Sequence, residues 1–286
     1  DYIISPGADY KQIKLEVNGA EKISINKNGD LILTTPLGNL IEHAPLVKQN
    51  GKILKSKWSV KNNVLSFEIE RYNPNLELII DPLTRVWGTY YGDFSYEEAF
   101  SCTTDTSGNV FMCGHTNAST GSVIATVGSH QQVYGGGSWD AYLVKFDANG
   151  VRQWGTYYGG TGFDYAKTCV CDNNGNVFLV GRTSSSSVIA TTGSHQSIHG
   201  GLYDAFLVKF NTNGVRLWGT YYGGANEDHG NVCTIDQFNN IYLAGQAAAA
   251  TSTIIATTGS HQQTYGGGLF DAFVVKFDNN GLRLWG

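Results

Sequence analysis

Charge is scarce in this sequence. Asp, Glu, Lys and Arg make up 15% of its 286 residues, too few for a disordered polyelectrolyte or for a bundle of helices laced with surface ion pairs. No apolar run is long enough to cross a bilayer as a helix. Five cysteines cannot all pair and are too sparse to form a disulfide scaffold. Gly-x-Ser-x-Gly, His-Glu-x-x-His, phosphate-loop and dinucleotide fingerprints are all missing, which removes the commonest routes to a hydrolase, a zinc protease or a nucleotide enzyme. Basic stripes are missing too. Residues 1–83 balance ten basic against ten acidic side chains, so the whole net charge of −5 lies in residues 84–286, and nucleic acid is an unsuitable partner. The chain opens at Asp1 without a methionine or an apolar leader, so a mature or internal piece of a protein is expected.

Glycine is abundant, at 36 residues, as are tyrosine and tryptophan, and the aromatics fall in a pattern. Trp87-Gly88-Thr89-Tyr90-Tyr91-Gly92 returns at Trp154 to Gly159 and at Trp218 to Gly223, and begins again at Trp285-Gly286. The tryptophans are 67, 64 and 67 positions apart. A repeat of this length fixes architecture before any single residue is considered. Within each unit four stretches read as strands; in the second they are Tyr165 to Cys171, Asn176 to Val180, Asp204 to Phe210 and Val215 to Tyr222. Loops such as Asp172-Asn173-Asn174-Gly175-Asn176 and Asn211-Thr212-Asn213-Gly214 close tight hairpins between the outer pairs. The middle connection is about twenty residues long and absorbs the three-residue shortening of the second unit, as a surface loop does. Ala205-Phe206-Leu207-Val208 is apolar on both faces, which suits a sheet pressed between two neighbours. Four antiparallel strands per unit predict the blades of a β-propeller. Three units cannot close a ring alone, so continuation beyond Gly286 is expected.

Residues 1–83 show no such period. Short apolar or alternating runs at Ile13–Val17, Lys22–Lys27, Leu31–Thr35, Lys52–Lys61, Val64–Glu70 and Leu76–Asp81 are separated by Asn-Gly turns. They predict a small antiparallel β domain that ends at Asp81-Pro82. Its abrupt start leads us to expect that part of it lies upstream. The fold class is therefore all-β: this domain, followed over 84–286 by an incomplete propeller of four-stranded blades.

The stretch from Asp204 to Gly224, Asp-Ala-Phe-Leu-Val-Lys-Phe-Asn-x-Asn-Gly followed by Trp-x-Thr-Tyr-Tyr-Gly-Gly, resembles the SBBP family of β-propeller repeats. So does Asp236 to Gly245, and the match recurs over residues 84–286. Asn28 to Gly38 and Leu78 to Pro82 are similar to the β domain that commonly precedes those repeats. The resemblance implies a large secreted or surface-exposed bacterial protein, in Bacteroidetes often exported by type IX secretion. It implies no catalytic residues.

Candidate chemistry is sparse. His130, His195 and His261 recur once per unit, and repeated packing explains them better than a metal ring. Cys102, Cys169 and Cys233 share one slot, read as a small core position; with Cys113 placed across the hairpin, a Cys102–Cys113 disulfide is the alternative. Glu97, Asp164 and Asp228 follow the Gly-Gly turn, and Asp105, Asp172 and Asp236 open hairpin loops. These loops lack the ladder of a calcium site, so a carboxylate accepting turn N–H groups is the favoured reading, with calcium or acid–base chemistry on polysaccharide as alternatives. Lys145, Lys209 and Lys276, inside apolar strands, are expected to pair with Asp140, Asp204 or Asp271. No cofactor is called for. A binding site should be built where the units differ. His115, Arg182 and Gln246 hold one such column, and Trp139, Tyr203 and Phe270 hold another that is always aromatic. The function expected is a non-catalytic scaffold or adhesive surface for a protein or glycan, with a subunit of a surface or secretion assembly as a further alternative.

Overall fold

The computed structural model describes residues 1–36, 38–81, 87–119, 123–248 and 254–286. The chain divides into two compact units, 1–86 and 87–286. The expected 83/84 boundary, with Pro82, lies outside the described residues.

Among the described residues, the first unit holds ten strands: β1 (Tyr2–Ile4), β2 (Leu15–Glu16), β3 (Lys22–Ile25), β4 (Leu31–Thr35), β5 (Gly38–Glu42), β6 (Leu46–Gln49), β7 (Lys52–Leu54), β8 (Ser56–Lys61), β9 (Val64–Ile69) and β10 (Leu78–Asp81). They form small antiparallel sheets in the orders β1-β10-β6-β7, β2-β9-β8 and β3-β4-β5. One core joins them, around Trp58, Phe67, Val47 and Ile80. Asn50 and Asn62 adopt positive φ, which is why Asn marks these turns. The run Lys52–Lys61 is two strands rather than one, because its halves join different sheets.

Among the described residues, the second unit holds three four-stranded antiparallel sheets. The first contains β11 (Glu97–Thr104), β12 (Val110–Thr116), β13 (Asp140–Phe146) and β14 (Arg152–Tyr158). In the second are β15 (Asp164–Cys171), β16 (Val177–Thr183), β17 (Asp204–Phe210) and β18 (Arg216–Tyr222). The third has β19 (Asp228–Ile235), β20 (Ile241–Ala247), β21 (Asp271–Phe277) and β22 (Arg283–Trp285). Strand order follows chain order in each, so these are blades, and the protein is all-β with a blade-built second unit. First strands of adjacent blades pack on one another, β11 on β15 and β15 on β19, and so form the inner edge of the stack.

Burial explains the doubly apolar strands. Every residue of β13 and of β17 is buried, since each middle blade surface meets a neighbour. The Trp-Gly-Thr-Tyr-Tyr strand ties blade to blade: Trp154 Nε1 donates to the Thr212 carbonyl at 3.0 Å, and Tyr158 Oη to the Ile189 carbonyl at 2.6 Å. Tyr157 faces the other way and donates to the Ala118 carbonyl of its own blade at 2.8 Å. A cavity of about 550 Å³ lies beside β21 and is lined by Gln262, Ala272, Val274 and Gly286. Its counterparts in the first two blades are filled by Thr156-Tyr157 and Thr220-Tyr221, so it is a packing slot of the repeat.

Two expectations are corrected here. The loop Asp105–Asn109 closes through Asp105 N–H to the Asn109 carbonyl at 3.0 Å, which centres the hairpin on Ser107. Cys102 therefore stands opposite Met112, Cys113 opposite Ser101, and all five thiols are free. Lys145, Lys209 and Lys276 do not pair with Asp140, Asp204 or Asp271. Those acids sit at the far ends of the strands, five residues and roughly 16 Å away. The lysines instead face Asp105, Asp172 and Asp236 at 3.9, 3.8 and 3.6 Å. Lys145 and Lys209 also reach into the next blade, where Lys145 Nζ donates to the Thr212 hydroxyl at 2.7 Å.

Candidate functional site

Each first strand carries a β-bulge at the same place, between Ala99 and Ser101, Ala166 and Thr168, and Gly230 and Val232. A bulge turns its extra residue out of the ladder, here Phe100, Lys167 and Asn231. Just above the bulges the registers align three rows: Glu98–His115–Ala141, Tyr165–Arg182–Ala205 and His229–Gln246–Ala272. Alanine at the third position leaves room above the sheet. The aromatic that precedes the third strand fills it.

The six residues singled out from the repeats come together in one stripe across the three blades. His115 meets Trp139 edge-on at 4.7 Å and Tyr165 of the next blade at 4.8 Å. The Arg182 guanidinium lies over Tyr165 at 4.8 Å and Tyr203 at 5.2 Å. Its Nη1 reaches both ring nitrogens of His229 in the third blade, at 3.3 and 3.2 Å. Gln246 Nε2 lies 3.1 Å from His229 Nδ1, Glu227 lies 3.5 Å from Nε2, and Phe270 packs on the ring at 5.6 Å. A Gln246 N–H at Nδ1 and a carboxylate beside Nε2 select the neutral tautomer protonated on Nε2. Burial and then the Arg182 charge hold His229 below the usual imidazole range. His115 is held low by burial as well, with Lys167 and Arg182 adding to the effect against Glu98. Lys167 Nζ stands 3.9 Å above the Phe100 ring. The bulge column and His229 were missed in the sequence. The signal was there, as Phe, Lys and Asn in one column.

The other candidates fall elsewhere. His130 packs against Tyr158 and Phe210, and His195 against Tyr222 and Phe277, with burial pushing each imidazole down to about 4. His261 is exposed. His130 and His195 lie in separate blade interfaces, and the three histidines do not converge. Asp172 Oδ1 accepts the Asn174 and Asn176 N–H groups at 2.9 Å, and Asp105 and Asp236 bind their turns likewise. No group of three His, Cys, Asp or Glu side chains suited to a metal occurs among the described residues.

Asp140, Asp164, Asp204 and Asp228 are fully buried at the blade junctions. Asp164 accepts from Gly160 N–H at 2.9 Å, Ser185 Oγ at 2.7 Å and the Thr183 hydroxyl. Asp140 Oδ2 accepts from Gly135 N–H at 2.6 Å and Gln131 Nε2 at 3.2 Å, whereas Oδ1 has no partner. Burial pushes Asp140 up to about 7 and Asp228 up to about 6. Sealed from solvent, these acids cannot meet a polysaccharide, which removes Asp164 as a surface acid.

Residues 1–83 match the domain of unknown function DUF7948. An uncharacterized WD repeat-containing protein, L264, of Acanthamoeba polyphaga mimivirus is 24% identical over 173 residues, covering 51% of this chain and 12% of that protein. The chain thus spans about an eighth of that relative, and the likeness is to a β-repeat module.

Proposed function

We propose that this chain is a non-catalytic propeller-type module that binds a protein partner along the inner stripe. One observation carries the reading: the residues that differ between blades converge on a single surface, while those that repeat are consumed by packing. A repeated residue serves the repeat. A varied one at a shared position is free to serve a ligand. The stripe offers recognition chemistry, namely ring edges, a guanidinium and an amide, over two buried imidazoles. The likeness to a WD repeat-containing protein supports an interaction module.

On the resemblance to SBBP repeats, we propose further that the module belongs to a large secreted or surface-exposed bacterial protein of Bacteroidetes type, exported by type IX secretion and acting as scaffold or adhesin. A glycan partner is less well suited. Sugar rings stack on open aromatic faces, and here Tyr165 and Tyr203 are capped by Arg182 and Phe100 by Lys167.

The test is capture of surface proteins on the immobilised chain, followed by titration of the purified partner. Phe100→Ala and Phe270→Ala, both on exposed rings, should weaken binding about tenfold or more. A partner that binds both variants as it binds the parent chain, or the absence of any saturable partner, refutes the reading.

A further inference from the structure

The two open faces of the blade stack fit each other. Ala272 and Val274 of β21 are exposed on the side of the third blade that faces away from the second. Their counterparts, Ala141 and Leu143 in the first blade and Ala205 and Leu207 in the second, are fully buried against the blade that follows. At the other end of the stack Ala99 and Cys102 of β11 are exposed. Ala166 and Cys169 of β15, and Cys233 of β19, hold the same positions and are buried against the blade that precedes. Leu143 shares one core with Cys169, and Leu207 shares the next with Cys233. Val274 and Cys102 are the two halves of a third contact of the same kind.

Trp87 to Gly92 sharpens the match. This segment lies on the first blade as a fourth strand lies on the blade after it. Trp87 Nε1 donates to the Ala148 carbonyl at 3.1 Å and Tyr91 Oη to the Ile124 carbonyl at 2.6 Å, the bonds that Trp154 and Tyr158 make to the second blade. Thr89 Oγ1 donates to the Tyr90 carbonyl at 2.8 Å, as Thr156 and Thr220 donate to Tyr157 and Tyr221 at 2.9 Å. Yet Thr89 and Tyr90 are exposed, whereas those four residues are buried in the first two slots. There the Gln131 and Gln196 N–H groups donate to the threonine hydroxyls at 2.8 and 2.9 Å. Gln262 holds the same place beside the third-blade cavity. Both a slot and a Thr-Tyr pair shaped for it are therefore present, at opposite ends of the stack.

Three blades are too few to close a ring on themselves, so the two ends meet between copies. We propose that copies of this chain associate head to tail, Thr89-Tyr90 of one copy entering the third-blade slot of another. Ala99 and Cys102 of the first copy then cover Ala272 and Val274 of the second. The incoming Trp87-Gly88 takes the place of Trp285-Gly286, the same two residue types, which are held to β21 at Lys276. From there the added strand extends the ladder along Val274 and Phe273, in the register that Thr156 and Tyr157 keep with Leu143 and Tyr142. The contact is heterologous, and two copies of three blades bring together the six that a propeller can close. It uses the ends of the stack and is independent of the stripe.

Analytical ultracentrifugation of the full chain from about 1 to about 200 μM reads the outcome. The mass should rise with concentration from 31.0 kDa toward twice that value. Alkylation of Cys102, exposed in the single chain, should slow in step. Tyr90→Ala removes a ring that is fully exposed in the single chain, and Val274→Glu charges the opposite face. Each should weaken association at least tenfold. Ile53→Ser, at an exposed apolar position of the first unit, should leave it unchanged. Each of the two end variants keeps one sound face. An equimolar mixture of them should therefore associate more tightly than either alone, through Tyr90 of one and Val274 of the other. Thermal melts establish that every variant is folded. A chain that stays at 31.0 kDa throughout overturns the proposal and leaves the slot to a different occupant. Association that survives either end substitution, that Ile53→Ser weakens as much, or that mixing fails to restore overturns it as well.

Discussion

Asp140 makes acid, not alkali, the favourable condition for the blades. Its carboxyl ordinarily titrates at 3.8, and burial raises it to about 7 in the folded chain, with the nearby Asp164 charge adding to the effect. Below about pH 4 the group is protonated in both states and contributes nothing. Between pH 4 and 7 the unfolded chain ionises while the folded chain keeps its proton, so stability falls by about 1.4 kcal/mol per pH unit. Above pH 7 both states are ionised and the loss is complete, on the order of 4 kcal/mol. Asp140→Asn removes the charge and keeps the shape. The amide oxygen still accepts from Gly135 N–H, and the amide nitrogen replaces the unpartnered Oδ1. The stability of the variant relative to the parent should therefore rise with pH, by a few kcal/mol from pH 4 to pH 8. Urea unfolding followed by tryptophan fluorescence measures this, since five of the six tryptophans lie in the blades. A flat difference across that range, or one that moves against the variant, refutes a buried and uncompensated Asp140.

Three further outcomes follow from the packing. Lys145→Met leaves Asp105 buried beside an apolar side chain and should cost about 3 kcal/mol in urea unfolding; the double variant with Asp105→Asn should recover part of it. Gly159→Ala should cost about 2 kcal/mol or more in the same assay, because the new Cβ would lie 2.7 Å from Asp164 Oδ2 and 2.8 Å from Asp140 Oδ1. Alanine tolerated at that position would mean that the carboxylates do not converge there. Native alkylation read by mass spectrometry should mark Cys102, which is exposed, well before buried Cys113, Cys169 and Cys233. Burial also pushes the Cys233 thiol up to about 12, which suppresses its thiolate.

What the sequence made legible was whatever repeats along the chain, and what it hid was whatever acts between repeats. Asp172 to Asn176 announces its hairpin because one carboxylate and one glycine solve a local problem. Four strands per unit follow from counting such turns. Lys145, by contrast, finds its hydroxyl partner in Thr212, 67 positions later, at the opposite end of the blade from the expected Asp140. No spacing rule places a lysine against a loop of the next blade. Asp164 read as a turn residue because it follows a Gly-Gly pair, and Asp140 read as a partner for a strand lysine. Only when loop 131–137 folds over Gly159 do they become buried acids.

The stripe lies between these cases. Its two columns were visible as positions where the blades disagree, yet its chemistry arises from contacts that cross blades, His115 to Tyr165 and Arg182 to His229. Lys167 became readable only once the bulge set it beside Phe100 rather than in the ladder. The division of labour is physical. A residue that must fit identical neighbours on both sides cannot vary without cost to every interface it serves. Positions at the inner edge, where the first strands bulge and side chains leave the sheet, escape that constraint. Blade-to-blade variation can therefore accumulate there without disturbing the stack, and the place where the repeats differ most freely is also the place where a partner can be read.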